Sequence, residues 1–217
     1  AAIQSQVNGM TAVDDVLYVI AAAGDNRLLS LPLDPTTGAP AVRPTYLVTS
    51  YSPAIPNAGV LELYHLRSPT RLYWGTFSNA GLADGCIYRI ETDNVPASPL
   101  ACWSPTYIAL GFVVAADGTV FAQNGMSNID EISGEPPMLT PFASNATYPR
   151  AIDADYLYVT NSESQTVRAL PLAGGSEAPE TPVPPANLTT LTASDPRYLY
   201  YAAVGATLLR SPKPPSR

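Results

Sequence analysis

The stretch that decides the fold is AIDADYLYVTN at residues 151–161, which is followed by TVRALPL at residues 166–172. An aspartate-rich turn separates two short apolar runs, and a third run follows that begins with alternating polar and apolar residues. Aspartate suits such turns because its side chain accepts hydrogen bonds from backbone N–H groups two or three residues ahead. The stretch therefore predicts a meander of short antiparallel strands.

The same pattern occurs five times along the chain. Each copy has an aromatic residue within an apolar triplet, and successive aromatic residues are 55, 48, 37 and 42 positions apart. Repeats of roughly 40–50 residues are typical of four-stranded blades around a central channel. These aromatic residues are expected in the core, together with Trp74: Tyr18, Tyr73, Phe121, Tyr158 and Tyr200. Four copies also carry an aspartate that is expected to cap the turn between the first two strands: Asp14, Asp117, Asp153 and Asp195.

The strand count of the repeats predicts how the molecule closes. The second repeat has four strands, expected near residues 61–66, 72–77, 86–91 and 100–103, whereas the fifth ends after a third strand at 208–211. The alternating N-terminal stretch Ile3 to Val7 is unassigned, and a strand from there would leave no free edge at the seam. The sequence thus predicts an all-β propeller: five blades of four antiparallel strands, closed by the N-terminal strand, in a single domain over residues 1–217.

Composition excludes two classes of function. The 217 residues carry a formal net charge of -7, and Lys213 is the single lysine. Binding to a phosphate backbone needs clustered lysine and arginine, so a nucleic-acid partner is excluded. The longest apolar stretches, Val16 to Ala23 and Tyr107 to Ala116, are shorter than the roughly 18 residues that span a bilayer, so no transmembrane segment is predicted.

Two segments carry a family resemblance. Leu72-Tyr73-Trp74-Gly75-Thr76 is followed by Ile87-Tyr88-Arg89-Ile90, and Ala151-Ile152-Asp153 leads to 157–161 and then to 167–175. These segments resemble repeats of the YWTD and NHL class of β-propellers, including secreted bacterial members, in which six blades are usual. The resemblance implies a scaffold that binds proteins, glycans or peptides, with enzymes in the minority.

The two cysteines form a specific pair. Cys86 begins the third strand of the second repeat, and Cys102 ends the strand that follows it. Neighbouring antiparallel strands bring such ends together, so a disulfide in an oxidising compartment is favoured over two buried free thiols.

Residues for catalysis are few. His65 is the only histidine, so a serine–histidine–aspartate arrangement would depend on it, and one histidine with two cysteines shows no zinc spacing. Paired carboxylates for glycoside hydrolysis are the stronger alternative, but Glu62 is the one acid clearly inside a predicted innermost strand. No catalytic residue, metal site or cofactor is predicted, and activity as an enzyme is disfavoured without being excluded.

A few side chains remain as candidates for ligand binding. Trp103 and Tyr107 lie near a predicted sheet end, where aromatic rings can stack on sugars, and Glu62 and His65 could face the central channel. We therefore expect a non-catalytic binding or scaffold module that is secreted, periplasmic or at the cell surface and contacts a protein or glycan. The alternative is a propeller glycoside hydrolase, or another hydrolase, that uses carboxylates in the central channel.

Overall fold

A computed structural model describes the chain over sixteen segments: residues 6–13, 15–22, 27–39, 45–48, 58–67, 70–78, 85–91, 98–103, 111–124, 127–146, 148–161, 166–173, 181–182, 188–194, 197–203 and 207–214. Over these residues the regular structure is antiparallel β-sheet, and no helix there has the length and apolarity to cross a membrane. The chain divides into two compact units, Ala1–Leu110 and Gly111–Arg217.

The first unit contains two four-stranded sheets, each a meander in chain order. The first sheet comprises β1 (Gln6–Val13), β2 (Val16–Ala22), β3 (Arg27–Pro32) and β4 (Thr45–Val48). The second comprises β5 (Ala58–Arg67), β6 (Thr70–Ser78), β7 (Gly85–Glu91) and β8 (Ser98–Trp103). The four strands predicted for the second repeat are confirmed.

The second unit contains three sheets with the same meander order. The third sheet comprises β9 (Phe112–Val114), β10 (Val120–Asn124), β11 (Asn128–Ser133) and β12 (Met138–Ser144). The fourth comprises β13 (Pro149–Ile152), β14 (Tyr156–Asn161), β15 (Thr166–Pro171) and β16 (Thr181–Pro182). The fifth has three strands among the described residues: β17 (Leu188–Ser194), β18 (Tyr198–Ala203) and β19 (Thr207–Pro212).

The cores form where the second strands of the sheets are buried on both faces. The repeated aromatic residues are buried there as predicted at Tyr18, Tyr73, Phe121 and Tyr158, together with Trp74. A cluster between the fourth and fifth sheets shows the packing, since its members come from three strands of one sheet and from β18 of the next: Ala151, Tyr156, Tyr158, Val167, Ala169 and Leu199. Large apolar side chains of this kind contribute roughly 1.5–3 kcal/mol each when fully buried.

The predicted disulfide is confirmed. Cys86 and Cys102 are bonded, and they lie directly opposite each other in the pairing of β7 with β8. Their Cα atoms are 4.1 Å apart, close to the spacing of directly opposed residues in an antiparallel pair.

The predicted closure by the N-terminal strand is wrong at Gln6 and Val7. These residues pair with Ala22 and Ala21 of β2, so they belong to the first strand of the first sheet. Residues 14 and 15 alone connect β1 to β2, and such a local hairpin closes at a much smaller entropic cost than pairing with a strand nearly two hundred residues away. The rest of the predicted closing strand, residues 3–5, lies outside the described residues.

Turn capping by aspartate is confirmed where the turns are described. Oδ1 of Asp117 accepts a hydrogen bond from the Thr119 N–H at 2.9 Å. Oδ1 of Asp153 accepts from the N–H groups of Asp155 and Tyr156, at 3.0 and 2.9 Å. Asp14 and Asp195 lie outside the described residues.

Candidate functional site

The connection between the third and fourth sheets has an unusual backbone. Asn145 and Tyr148 both adopt left-handed conformations, with φ of 54° and 49°. Asparagine tolerates this region, but a bulky residue such as tyrosine rarely occupies it. Strained positions of this kind persist only where neighbours fix them, and they are common at binding sites. We therefore take Tyr148 as the centre of the candidate site.

Gln123 fixes the backbone of Tyr148. The Gln123 side chain is 1% exposed, and its Oε1 accepts a hydrogen bond from the Tyr148 N–H at 2.9 Å. On the other side, the Tyr148 carbonyl accepts from the Thr160 N–H at 3.2 Å. Tyr148 is thus held between β10 of the third sheet and β14 of the fourth.

Arg150 lies against the Tyr148 ring, with its guanidinium carbon 5.2 Å from the ring centre. It also approaches the start of β9, where a Cβ placed on Gly111 would lie 4.0 Å from Arg150 Nη1 and 3.5 Å from the Pro149 carbonyl oxygen. Both Tyr148 and Arg150 are partly exposed. A cation held over an aromatic ring at a sheet end can bind an anionic group through the guanidinium and a planar group through the ring.

A buried carboxylate, that of Asp130, lies on the face of the third sheet opposite to the Gln123 side chain. Asp130 of β11 is 4% exposed, and its Oδ2 accepts a hydrogen bond from Asn124 Nδ2 at 2.7 Å. Successive residues of a strand point to opposite faces, which separates the Asn124–Asp130 pair from Gln123. This acid is therefore held by a neighbour within its own sheet.

A second polar cluster joins the fourth and fifth sheets at their other end. Asp153 Oδ2 accepts hydrogen bonds from the Tyr158 hydroxyl at 2.8 Å and from Lys213 Nζ at 2.5 Å. Lys213 Nζ also lies 5.1 Å from the centre of the Tyr158 ring. The Lys213 side chain is 8% exposed and that of Asp153 is 27% exposed.

The charges of this cluster are set by its contacts. Burial by itself raises the pKa of Asp153, but hydrogen bonds from Lys213, Tyr158 and two backbone N–H groups together hold that pKa below its usual value. Burial, and then the hydrogen bond to Asp153 and its charge, raise the pKa of Tyr158 well above the usual range. Asp153 is therefore ionised and Tyr158 protonated at neutral pH. In these states Asp153 keeps its ion pair with Lys213 and its hydrogen bond from Tyr158, so the cluster stabilises the packing of the two sheets.

The position of Lys213 is a repeat position. The N–H groups of Leu33, Leu172 and Lys213 each follow the third strand of their sheet and donate to a carbonyl in the turn between the first two strands, at 2.6, 2.9 and 2.9 Å. The fifth sheet thus carries a lysine where the first and fourth sheets carry leucine.

Three of the residues predicted from the sequence to bind ligand, Glu62, His65 and Trp103, lie in strands of the first unit, whereas Tyr148 belongs to the second. Glu62 and His65 lie in β5, where His65 pairs with Leu72 and Glu62 falls at an irregularity between Val60 and Leu63. Trp103 ends β8 opposite Gly85 and is 6% exposed. Tyr107 lies outside the described residues. A group of three or more histidine, cysteine or acidic side chains placed to hold a metal does not occur among the described residues.

Gln123, Tyr148 and Arg150 were not predicted from the sequence as site residues. A polar residue inside the apolar run VFAQN at 120–124 was the one available signal for Gln123. The left-handed conformation of Tyr148 has no sequence signal, because tyrosine is an uncommon residue there.

Comparison with known proteins defines the class of fold. No family model matches the chain, and no curated protein matches it. Among solved structures, the chain is similar to the β-propeller domain of Cps50 (Swd1) from Myceliophteria thermophila, at 11% identity and a TM-score of 0.62 over 95% of this chain and 70% of that chain.

Two further solved structures are similar to the chain. YCF48 bound to D1 peptide is 12% identical with a TM-score of 0.62, over 96% of this chain and 64% of that chain. A protein assigned as a 6-phosphogluconolactonase from Bacteroides uniformis is 14% identical with a TM-score of 0.61, over 94% of this chain and 70% of that chain. At these identities the likeness establishes an all-β fold of the propeller type.

Proposed function

We propose that the chain is a non-catalytic binding or scaffold module, secreted, periplasmic or at the cell surface, that contacts a protein or glycan. In this proposal its five sheets are the five blades of a single β-propeller domain. The observation that carries the proposal is the strained Tyr148, held in place by Gln123 and covered by Arg150. A scaffold that fixes a tyrosine and an arginine at a sheet end presents two of the three side-chain types that are enriched at binding hot spots.

Four of the described acids support a non-catalytic role because their oxygens make hydrogen bonds within the fold. Asp117 and Asp153 cap turns, and Asp130 accepts from Asn124. Glu131 Oε1 accepts from the Ser133 hydroxyl at 2.8 Å. A general acid and base need free access to substrate, whereas these carboxylates stabilise turns and strands.

The proposed location rests on the disulfide. Bonds such as Cys86–Cys102 persist in oxidising compartments and are rare where thiols are kept reduced. Among similar structures, the complex of YCF48 with D1 peptide provides a propeller-type protein that binds a peptide.

Binding to arrays of glycans and of extended peptides tests the proposal. We expect the parent protein to bind a defined set of glycans or peptides, and Arg150→Gln to lose that binding because the variant removes the charge beside the Tyr148 ring. Arg197→Gln is the matched control. It removes an exposed arginine that directly precedes β18 of the fifth sheet, whereas Arg150 lies in β13 of the fourth sheet. Equal loss in both variants, or binding that survives Arg150→Gln, would refute the assignment of this site.

A further inference from the structure

The backbone of the connection at residues 145–148, between β12 and β13, is bonded within the fold. The Asn145 carbonyl accepts a hydrogen bond from Arg168 Nη1 at 2.5 Å, and the Ala146 N–H donates to the Ser127 carbonyl at 2.9 Å. The N–H and the carbonyl of Tyr148 are bonded as well. A ligand that binds at this connection would therefore be recognised mainly by side chains.

Two arginines bring positive charge to the connection from one face of the fourth sheet. Arg168 lies between Val167 and Ala169, whose side chains belong to the core shared with the fifth sheet, so Arg168 points to the opposite face. Arg150 of β13 approaches Gly111, which directly precedes β9 of the third sheet. Both arginines thus lie on the side of the third sheet, although the whole chain has a net charge of -7.

Three side chains beside this charge differ in the groups that they can bind. Asn145 is exposed, and Tyr148 and Arg150 are partly exposed. An amide donates and accepts hydrogen bonds, a tyrosine ring packs on apolar faces, and a guanidinium pairs with a carboxylate through two parallel hydrogen bonds. A sugar that carries a carboxylate presents a partner to each of them, namely hydroxyl groups, an apolar C–H face and a negative charge.

An extended peptide fits the connection less well. Peptide strands gain their affinity from main-chain hydrogen bonds to a sheet edge. The backbone groups of Asn145, Ala146 and Tyr148 named above already make their hydrogen bonds inside the protein. Recognition by an amide, a ring and a guanidinium favours a sugar instead.

We propose that Asn145, Tyr148 and Arg150 bind a uronic acid residue of an acidic glycan, with the Arg150 guanidinium pairing with the carboxylate. The inference rests on the proposed binding function and names the ligand class of the same site. Arg168 holds the Asn145 carbonyl and adds a second positive charge, which attracts an anion most strongly at low ionic strength.

Tetragalacturonate and its methyl ester test the proposal, because the ester keeps the sugar rings and hydroxyl groups but has no charge. Isothermal titration calorimetry measures both affinities. We expect the parent protein to bind the acid about tenfold more tightly than the ester, since a charge-assisted pair contributes about that factor. This advantage should shrink as salt is raised from about 20 mM to about 500 mM, because salt screens exposed charges.

Variants assign the advantage to residues. Arg150→Gln should remove the advantage of the acid over the ester, whereas the matched control Arg197→Gln should keep it. Tyr148→Gly suits the left-handed backbone and removes the ring, so it should weaken both ligands alike, by about two- to tenfold. The comparison of acid with ester in the parent needs no variant, so it stands even where a variant fails to fold.

Four results would overturn the proposal: no binding of tetragalacturonate at about 1 mM, equal affinity of the parent for acid and ester, an advantage that survives Arg150→Gln, or a loss of the advantage in Arg197→Gln. A tetraglutamate peptide with blocked ends that binds as tightly as tetragalacturonate would replace the glycan by an acidic peptide. If the parent binds members of the arrays but not tetragalacturonate, this inference fails alone. If it binds no member of the arrays, the proposed function fails.

Discussion

The ion pair between Lys213 and Asp153 gives the sharpest prediction for stability. Lys213→Met removes the charge and keeps the length of the side chain. Breaking a fully buried pair costs about 3–5 kcal/mol, but Asp153 is 27% exposed and retains hydrogen bonds from Tyr158 and two backbone N–H groups. We therefore expect a loss of about 1–2 kcal/mol in the free energy of unfolding, or roughly 2–8 °C in Tm.

Asp153→Asn should cost more than Lys213→Met. The amide oxygen of asparagine can still cap the turn, but the lysine is left charged at 8% exposure without its carboxylate. We expect about 2–3 kcal/mol for this variant. The double variant should recover part of both losses, because it leaves neither charge unpaired, and the coupling energy should be about 1–2 kcal/mol.

Urea denaturation of the four proteins measures the cycle, with tyrosine and tryptophan fluorescence as the signal. Additive losses, with a coupling energy below about 0.5 kcal/mol, would refute the view that the pair ties the fourth sheet to the fifth.

Three further predictions concern the titration of Asp153, the contact of Gln123 with Tyr148, and the disulfide. Because the folded-state pKa of Asp153 lies below its ordinary value of 3.8, the stabilisation from this group is complete above that value and is lost as pH falls through the folded pKa. The Tm difference between parent and Asp153→Asn should therefore shrink in acid, and a constant difference from pH 7 down would contradict the linkage. Gln123→Leu should lower stability by about 1–3 kcal/mol, since it leaves the Tyr148 N–H without the acceptor that the buried Gln123 side chain provides. A change below about 0.5 kcal/mol in urea denaturation would remove Gln123 from its positioning role. Replacing both Cys86 and Cys102 by serine should cost about 3 kcal/mol for a closed loop of this length, and a calorimetric Tm equal to that of the parent would show that the bond adds nothing.

The fold could be predicted from the sequence wherever local pattern decides it. The alternation around Leu72, Cys86 and Leu100 predicts strands that the structure confirms as β6, β7 and β8. Aspartates in turns signal their own role, because capping depends on residues only two or three positions away. Local signals of this kind survive in a single sequence.

What could not be predicted depends on distant parts of the chain. The N-terminal alternation at Val7 fits an edge strand as well as an inner one, and the pairing with Ala21 was decided by a two-residue hairpin. The contact of Gln123 with Tyr148 joins residues 25 positions apart, and the pair of Lys213 with Asp153 joins residues 60 positions apart. Neither spacing carries a periodic signal, so the candidate site emerged from the structure.

Hydrolysis assays with Glu62→Gln test the central claim, that the chain binds without turning over a substrate. Glu62 is the acid that a propeller hydrolase would use in this chain, because it lies in the first strand of the second sheet. The measurement compares glycoside, ester and lactone hydrolysis by the parent, by Glu62→Gln and by His65→Ala. The account predicts the same background rate for all three proteins, whereas activity in the parent that falls in either variant would contradict it and establish a hydrolase.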